Sequence, residues 1–145
     1  MSQRWIFAPL ALLIGCGQSS MQVPPSPSPE SAVETFLESV ADSNLAKMAQ
    51  FWGTAKGSAA ETNEPSDYQK RIEVMQVYLR HNSFQIASSR PSPDDENIRD
   101  VTVDIQRDTC VRQVPIQVVR TRDSRWIIRN IDLTALGNPL APCRE

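Results

Sequence analysis

The spacing of apolar residues along this chain changes period once, near residue 82, and that change dictates the kind of fold open to it. Before it, Val33, Phe36, Leu37 and Val40 fall at i, i+3, i+4 and i+7, one face of an α-helix. After it, Val101, Val103 and Ile105 alternate with Thr102, Asp104 and Gln106, as a strand buried on one side requires. A helical half followed by a strand half predicts an α+β domain with helices packed on one face of an antiparallel sheet.

Local signals set the expected elements. Ser28-Pro29-Glu30 offers a capping side chain followed by proline at the first helical position, and Ser31 with Glu34 offers a capping box one turn later. Asp42-Ser43-Asn44 interrupts this first helix, and Leu45, Met48, Phe51 and Trp52 then face one way on a short second one. Gly53 to Pro65 reads as a loop. Ser66, with Gln69 as box partner, caps a third helix whose stripe is Tyr68, Ile72, Met75 and Leu79, widened by Val74 and Tyr78, and His81 and Asn82 end it. Four strands follow: Ser83 to Arg90 with Phe84 and Ile86 on one side, the run around Val101 to Ile105, Val111 to Thr121, and Trp126 to Leu133. Pro91 to Asn97 and Arg122-Asp123-Ser124 carry turn chemistry. Pro115 lacks an N–H, so its strand is expected to bulge or lose a pairing there. Three N-terminal helices on a four-stranded antiparallel sheet result.

The first thirty residues do not read as core. Arg4 and the α-amino group supply positive charge, and Trp5 to Ile14 is mostly apolar. Ten helical residues span about 15 Å, too short for a hydrocarbon core of about 30 Å, so an export signal fits and a permanent transmembrane helix does not. The residues Leu13-Ile14-Gly15-Cys16 resemble the lipobox of bacterial lipoproteins. The resemblance implies cleavage before Cys16, lipid (diacylglyceryl and palmitate-type chains) on its thiol, and attachment to the cell envelope; two or three acyl chains anchor firmly where one does not. Gly17 in place of Asp is compatible with delivery to an outer membrane, if the cell has one. Gly17 to Pro29 is Gly, Gln, Ser and Pro with little apolar content, a tether that when extended lifts a domain roughly 40 Å. The organisation is therefore a signal peptide over 1–15, a lipidated cysteine and tether over 16–29, and a single domain with a C-terminal tail over 30–145.

With Cys16 acylated, Cys110 and Cys143 remain. In an exported protein they fit a disulfide, which would pin the Gly137-Asn138-Pro139 tail across the sheet.

The order of elements resembles the nuclear transport factor 2-like fold shared with ketosteroid isomerases, carried by SPESAVETFLESVADSNLAKMAQFW and VPIQVVRTRDSRWIIRNIDL. The resemblance implies a curved, cone-like sheet with an open mouth, used in that fold as an active site, ligand pocket or dimer surface. The isomerases require an Asp base, a Tyr and a protonated Asp inside the cone. Here the two tyrosines fall on the third helix, and Asp104 and Asp132 alternate outward, so no isomerase site maps onto the chain.

Other chemistry is equally sparse. His81 is the one histidine, and its place at a helix end suits bonding to terminal carbonyls. Without Cys-x-x-Cys spacing no zinc site is expected, and Asp94-Asp95-Glu96 lacks the alternating oxygen ligands of a calcium loop. A net charge of −2 gives no long-range attraction for nucleic acid. The arginines of the last third alternate with aspartates and read as solvated strand faces. Trp52, Tyr68, Tyr78 and Trp126 are core aromatics by default and the candidate lining of an apolar pocket. The expectation is a membrane-anchored, non-catalytic module without cofactor or metal, binding an envelope protein or a small apolar ligand. The alternatives are an isomerase- or dehydratase-like enzyme and a structural module that dimerises.

Overall fold

In the structure, a computed structural model describing residues 26–143, helix α1 (Pro29–Ala41) begins where the serine–proline pair places it. Ser31 N donates to Ser28 Oγ at 3.1 Å, and Pro29 occupies the first helical position. Val33, Phe36, Leu37 and Val40 are buried as their spacing demands. The leader, Cys16 and most of the tether lie outside the described residues.

Ser43 turns the chain with φ of 53°, and Asn44 Oδ1 accepts from Lys47 N at 3.0 Å to cap α2 (Leu45–Phe51). The apolar face of α2 needs correction. Leu45 is exposed, and Trp52 is extended rather than helical, bridging to Ile128 in parallel; Met48, Ala49 and Phe51 are the buried residues.

The stretch expected as a loop is folded. β1 (Gly53–Thr54) and β2 (Gly57–Ser58) form a minimal hairpin, and α3 (Ala59–Thr62) adds one turn of helix. Its start is a capping box: Glu61 N donates to Ser58 Oγ and Ser58 N donates to the Glu61 carboxylate. Among the described residues four helices, not three, therefore precede the four-stranded sheet. The last, α4 (Tyr68–Tyr78), is preceded by Asp67 rather than Ser66 as N-cap, and the Asp67 carboxylate pairs with Arg71 at 2.9 Å instead of capping. Ile72, Met75 and Leu79 are buried; Tyr68 and Tyr78 are half-buried, and Val74 is exposed rather than part of the stripe.

The second half is an antiparallel meander in sequence order: β3 (Ser83–Pro91), β4 (Ile98–Arg107), β5 (Cys110–Arg120) and β6 (Trp126–Ile131). Val101 lies opposite Ile116 and Val103 opposite Val114, so one face presents a continuous apolar surface. α1 crosses this face and touches all four strands, while α2 packs against α1, α4 and β6. On the other face Ile98, Val119 and Ile127 make a smaller cluster.

Pro115 pairs with Thr102 of β4, but the ladder with β6 begins only at Ile116. Its carbonyl accepts from Asp132 N at 3.0 Å. N and O of one strand residue point the same way, so the missing N–H faces the end of the β6 ladder, where no strand bond is lost. The bulge lies further on, between Gln117 and Val118. β6 stops at Ile131, short of the expected Leu133, and a 3-10 turn (Leu133–Leu136), started by Thr134 N donating to Asp132 Oδ1, brings Leu136 into the core.

Candidate functional site

The far end of the β4–β5 hairpin gathers the chain's most distinctive groups. Cys110, at the start of β5, and Cys143, in the tail, form the expected disulfide, with Cα atoms 5.8 Å apart across a separation of 33 residues. The tail crosses this end of the sheet and roofs a cavity of about 310 Å³. Ile105, Leu136, Ala141 and Pro142 give it apolar walls, and Arg107 and Arg112 also line it. The described backbone bonds of the tail are local: Gly137 N to Thr134 O, and Ala141 N to Asn138 O. What fastens it to the sheet is the buried Leu136, the disulfide, and a 3.3 Å contact between Cys143 Sγ and the Arg107 carbonyl oxygen.

Arg107 also closes the end of α4. Its Nε donates to Arg80 O at 3.0 Å and its Nη2 to Tyr78 O. Beside it, Asp108 N donates to Asn82 Oδ1 at 2.7 Å. His81 Nδ1 lies 2.7 Å from Leu79 O; a carbonyl only accepts, so Nδ1 carries the proton. The ring stands edge-on to Phe84 with centroids 5.4 Å apart. This is the terminal-carbonyl role expected of the histidine.

The four candidate pocket aromatics all pack at the margin of the main core. Tyr68 and Tyr78 begin and end α4, about 15 Å apart along the axis, and so cannot share one small patch. Trp52 and Trp126 are closer: Trp52 bridges Ile128, two positions along β6 from Trp126. None of the four lines the cavity at the disulfide. Arg107 and Leu136, which do, were not singled out by the sequence; Arg107 acts on carbonyls up to 29 residues away, for which local spacing holds no signal.

Elsewhere Glu61, Asp123 and Arg125 form a network of charges. Arg125 Nη2 bonds Glu61 at 2.8 Å and its Nε bonds Asp123 at 2.7 Å, joining α3 to the β5–β6 turn. The Arg125 bond holds the Glu61 carboxyl below its ordinary value, against the opposing effect of burial. Asp123 is lowered first by the Thr121 hydroxyl and then by Arg125. At the start of α1, Glu30 is lowered mainly by the Ser89 hydroxyl, with Arg99 adding its charge. Ser89 Oγ and Arg99 Nε are buried, and neither has a partner that satisfies hydrogen-bond geometry. Asp104 lies on the sheet face away from the main core but is half-buried, with one carboxylate oxygen unpartnered. Asp95 Oδ1 accepts from Asn97 N at 2.9 Å, binding its turn internally.

Among the described residues no group of three or more His, Cys, Asp or Glu could hold a metal ion, and no helix is long and apolar enough to cross a membrane. Compared with protein-family models, curated proteins and solved structures, the chain matches none of them.

Proposed function

We propose that this chain is an exported lipoprotein, fixed to a cell-envelope membrane by lipid on Cys16, whose domain binds an envelope protein or a small apolar ligand without catalysing a reaction. The observation that carries the export reading is the Cys110–Cys143 disulfide, because such bonds persist in oxidising compartments outside the cytosol. It agrees with the lipobox-like Leu13-Ile14-Gly15-Cys16 and with the polar, proline-rich stretch that follows. Helices leading into a four-stranded meander, with α1 laid across one face, support a cone-like domain of the nuclear transport factor 2 kind. In that arrangement Trp52 and Trp126 flank the edge of the apolar face, where a ligand or partner would meet them.

The test is metabolic labelling with a palmitate analogue in a bacterial host expressing the full chain. The native protein takes up label and sediments with membranes, whereas Cys16→Ser remains an unlabelled precursor. A Cys16→Ser protein that is processed and membrane-bound like the native one overturns the anchor. The binding role is read by titrating tryptophan fluorescence with apolar ligands and by cross-linking in intact cells. Silence in both would remove it.

A further inference from the structure

We infer that the Cys110–Cys143 bond is a redox latch. A dithiol donor opens it at Cys143, the tail leaves the end of the sheet, and apolar surface on Ile105 and Leu136 is uncovered while the domain stays folded. The inference rests on neither lipid anchoring nor the cone-like reading, only on what the bond joins and what the tail covers.

The two sulfurs are not equally open to attack. Cys110 begins β5, is 7% exposed and is held in register opposite Arg107 of β4. Cys143 is half-buried, in a tail whose Gly137, Asn138, Leu140, Ala141 and Pro142 are all exposed. Exchange begins when a thiolate attacks one sulfur of the bond, and access decides which. The incoming thiolate therefore bonds to Cys143 Sγ, and the Cys110 sulfur leaves with the electron pair and takes up a proton. The donor's second thiolate then attacks the donor sulfur of this mixed disulfide, and Cys143 leaves and is protonated in turn. The donor ends as a disulfide, and Cys110 and Cys143 end as two thiols.

Opening the bond frees one segment and spares the rest. Leu136 belongs to the main core, whereas Leu140 in the tail is 87% exposed, and the tail's described backbone bonds are local. Segments with few buried apolar contacts open on their own, at less cost than global unfolding. β4 and β5 stay paired from Ile98 opposite Val119 to Arg107 opposite Cys110, a ladder that does not depend on the disulfide. What the tail covers is apolar: Ile105, 1% exposed, and Leu136 line the cavity of about 310 Å³ beneath it. In an oxidising compartment the latch is shut. A dithiol donor turns the same end of the sheet into an exposed apolar surface, the kind that meets a protein partner.

The test exposes the folded full-length protein to dithiothreitol at neutral pH, with alkylation and peptide mass analysis following Cys110 and Cys143. Both thiols appear at least tenfold faster than the domain unfolds globally, and the amides of Val103 and Val114 stay protected from exchange after reduction. The amides of Leu140 and Ala141 exchange at least tenfold faster in the reduced protein, and the fluorescence of added anilinonaphthalene sulfonate rises. Thioredoxin lacking its second cysteine, used as a trap, is caught on Cys143. Reduction no faster than global unfolding would overturn the latch, as would loss of protection at Val103 and Val114 together with the tail. So would unchanged exchange at Leu140 and Ala141, unchanged dye fluorescence, or trapping on Cys110.

Discussion

The Nε of Arg107 donates to the carbonyl of Arg80 at 3.0 Å, so a side chain from the end of β4 joins the local His81 in bonding carbonyls at the end of α4. The same guanidinium reaches Tyr78 O, inside the last turn of α4. No basic residue lies in that last turn, and its Tyr78 carbonyl is bonded from the sheet instead.

Replacing Arg107 by Met therefore removes two charge-assisted bonds and leaves helix-end carbonyls without their donors. The expected loss is about 1.5–3 kcal/mol, measured as a shift in the urea unfolding midpoint at constant slope. A variant within 0.5 kcal/mol of the native protein, by the roughly ±0.5 kcal/mol usual for plain surface changes, would show that the cap is incidental.

The disulfide closes a loop of 33 residues. Loop entropy predicts that the paired Cys110→Ser and Cys143→Ser substitution lowers stability by about 3–4 kcal/mol. Ellman titration of the unreduced, denatured native protein should find both sulfurs unreactive. Tail cleavage by a protease at low concentration should speed up in the serine variant, because Leu136 is then the main remaining hold.

Acid should weaken the fold through Glu61, Asp123 and Glu30. Each has its folded value lowered, Glu61 chiefly by Arg125, Asp123 chiefly by Thr121 and Glu30 chiefly by Ser89. The unfolded chain then binds more protons, so their stabilisation is complete above the ordinary carboxylate range, roughly pH 4, and fades as pH falls through the lowered values. Arg125 is raised and stays charged across this window. Midpoints of thermal unfolding should fall from pH 6 to pH 3, and Glu61→Gln should start lower and fall less steeply. A parallel decline in both proteins would exclude Glu61 from the acid limb.

Gly53 lies close against the backbone of 57–59: a Cβ there would lie 2.8 Å from Ser58 Cα and against the Gly57 carbonyl. Neither neighbour is a flexible side-chain end. Gly53→Ala should cost about 1–3 kcal/mol and open the β1–β2 hairpin, seen as faster amide exchange at Ala59, whose N–H donates to Trp52 O at 2.7 Å. Unchanged exchange at Ala59 would refute the close approach.

Where the sequence reported the structure, the controlling forces were local. Ser28-Pro29 marks the start of α1 because the cap needs only Ser31 three residues on, and strict alternation marks β4 because its two faces meet different surroundings. The Ser58–Glu61 box was equally local, and a single turn between two glycines and a proline went unread because polar composition outweighed it. Trp52 left its helix for a reason no window contains: the edge of β6, more than seventy residues away, offered a partner. The cavity was illegible on the same ground. Its walls come from β4, β5 and the tail, and only the disulfide hinted that those segments meet.

Glu30, near the point where the described chain begins, sits with Ser89 and Arg99 at one end of the sheet, while Arg107 and the Cys110–Cys143 bond occupy the other. From Arg99 to Arg107 β4 rises about 3.3 Å per residue, roughly 26 Å in all. The domain is thus a short pole with a foot and a head. Under the proposed anchor on Cys16, the membrane would lie toward the foot and the cavity beside the Cys110–Cys143 bond toward the head.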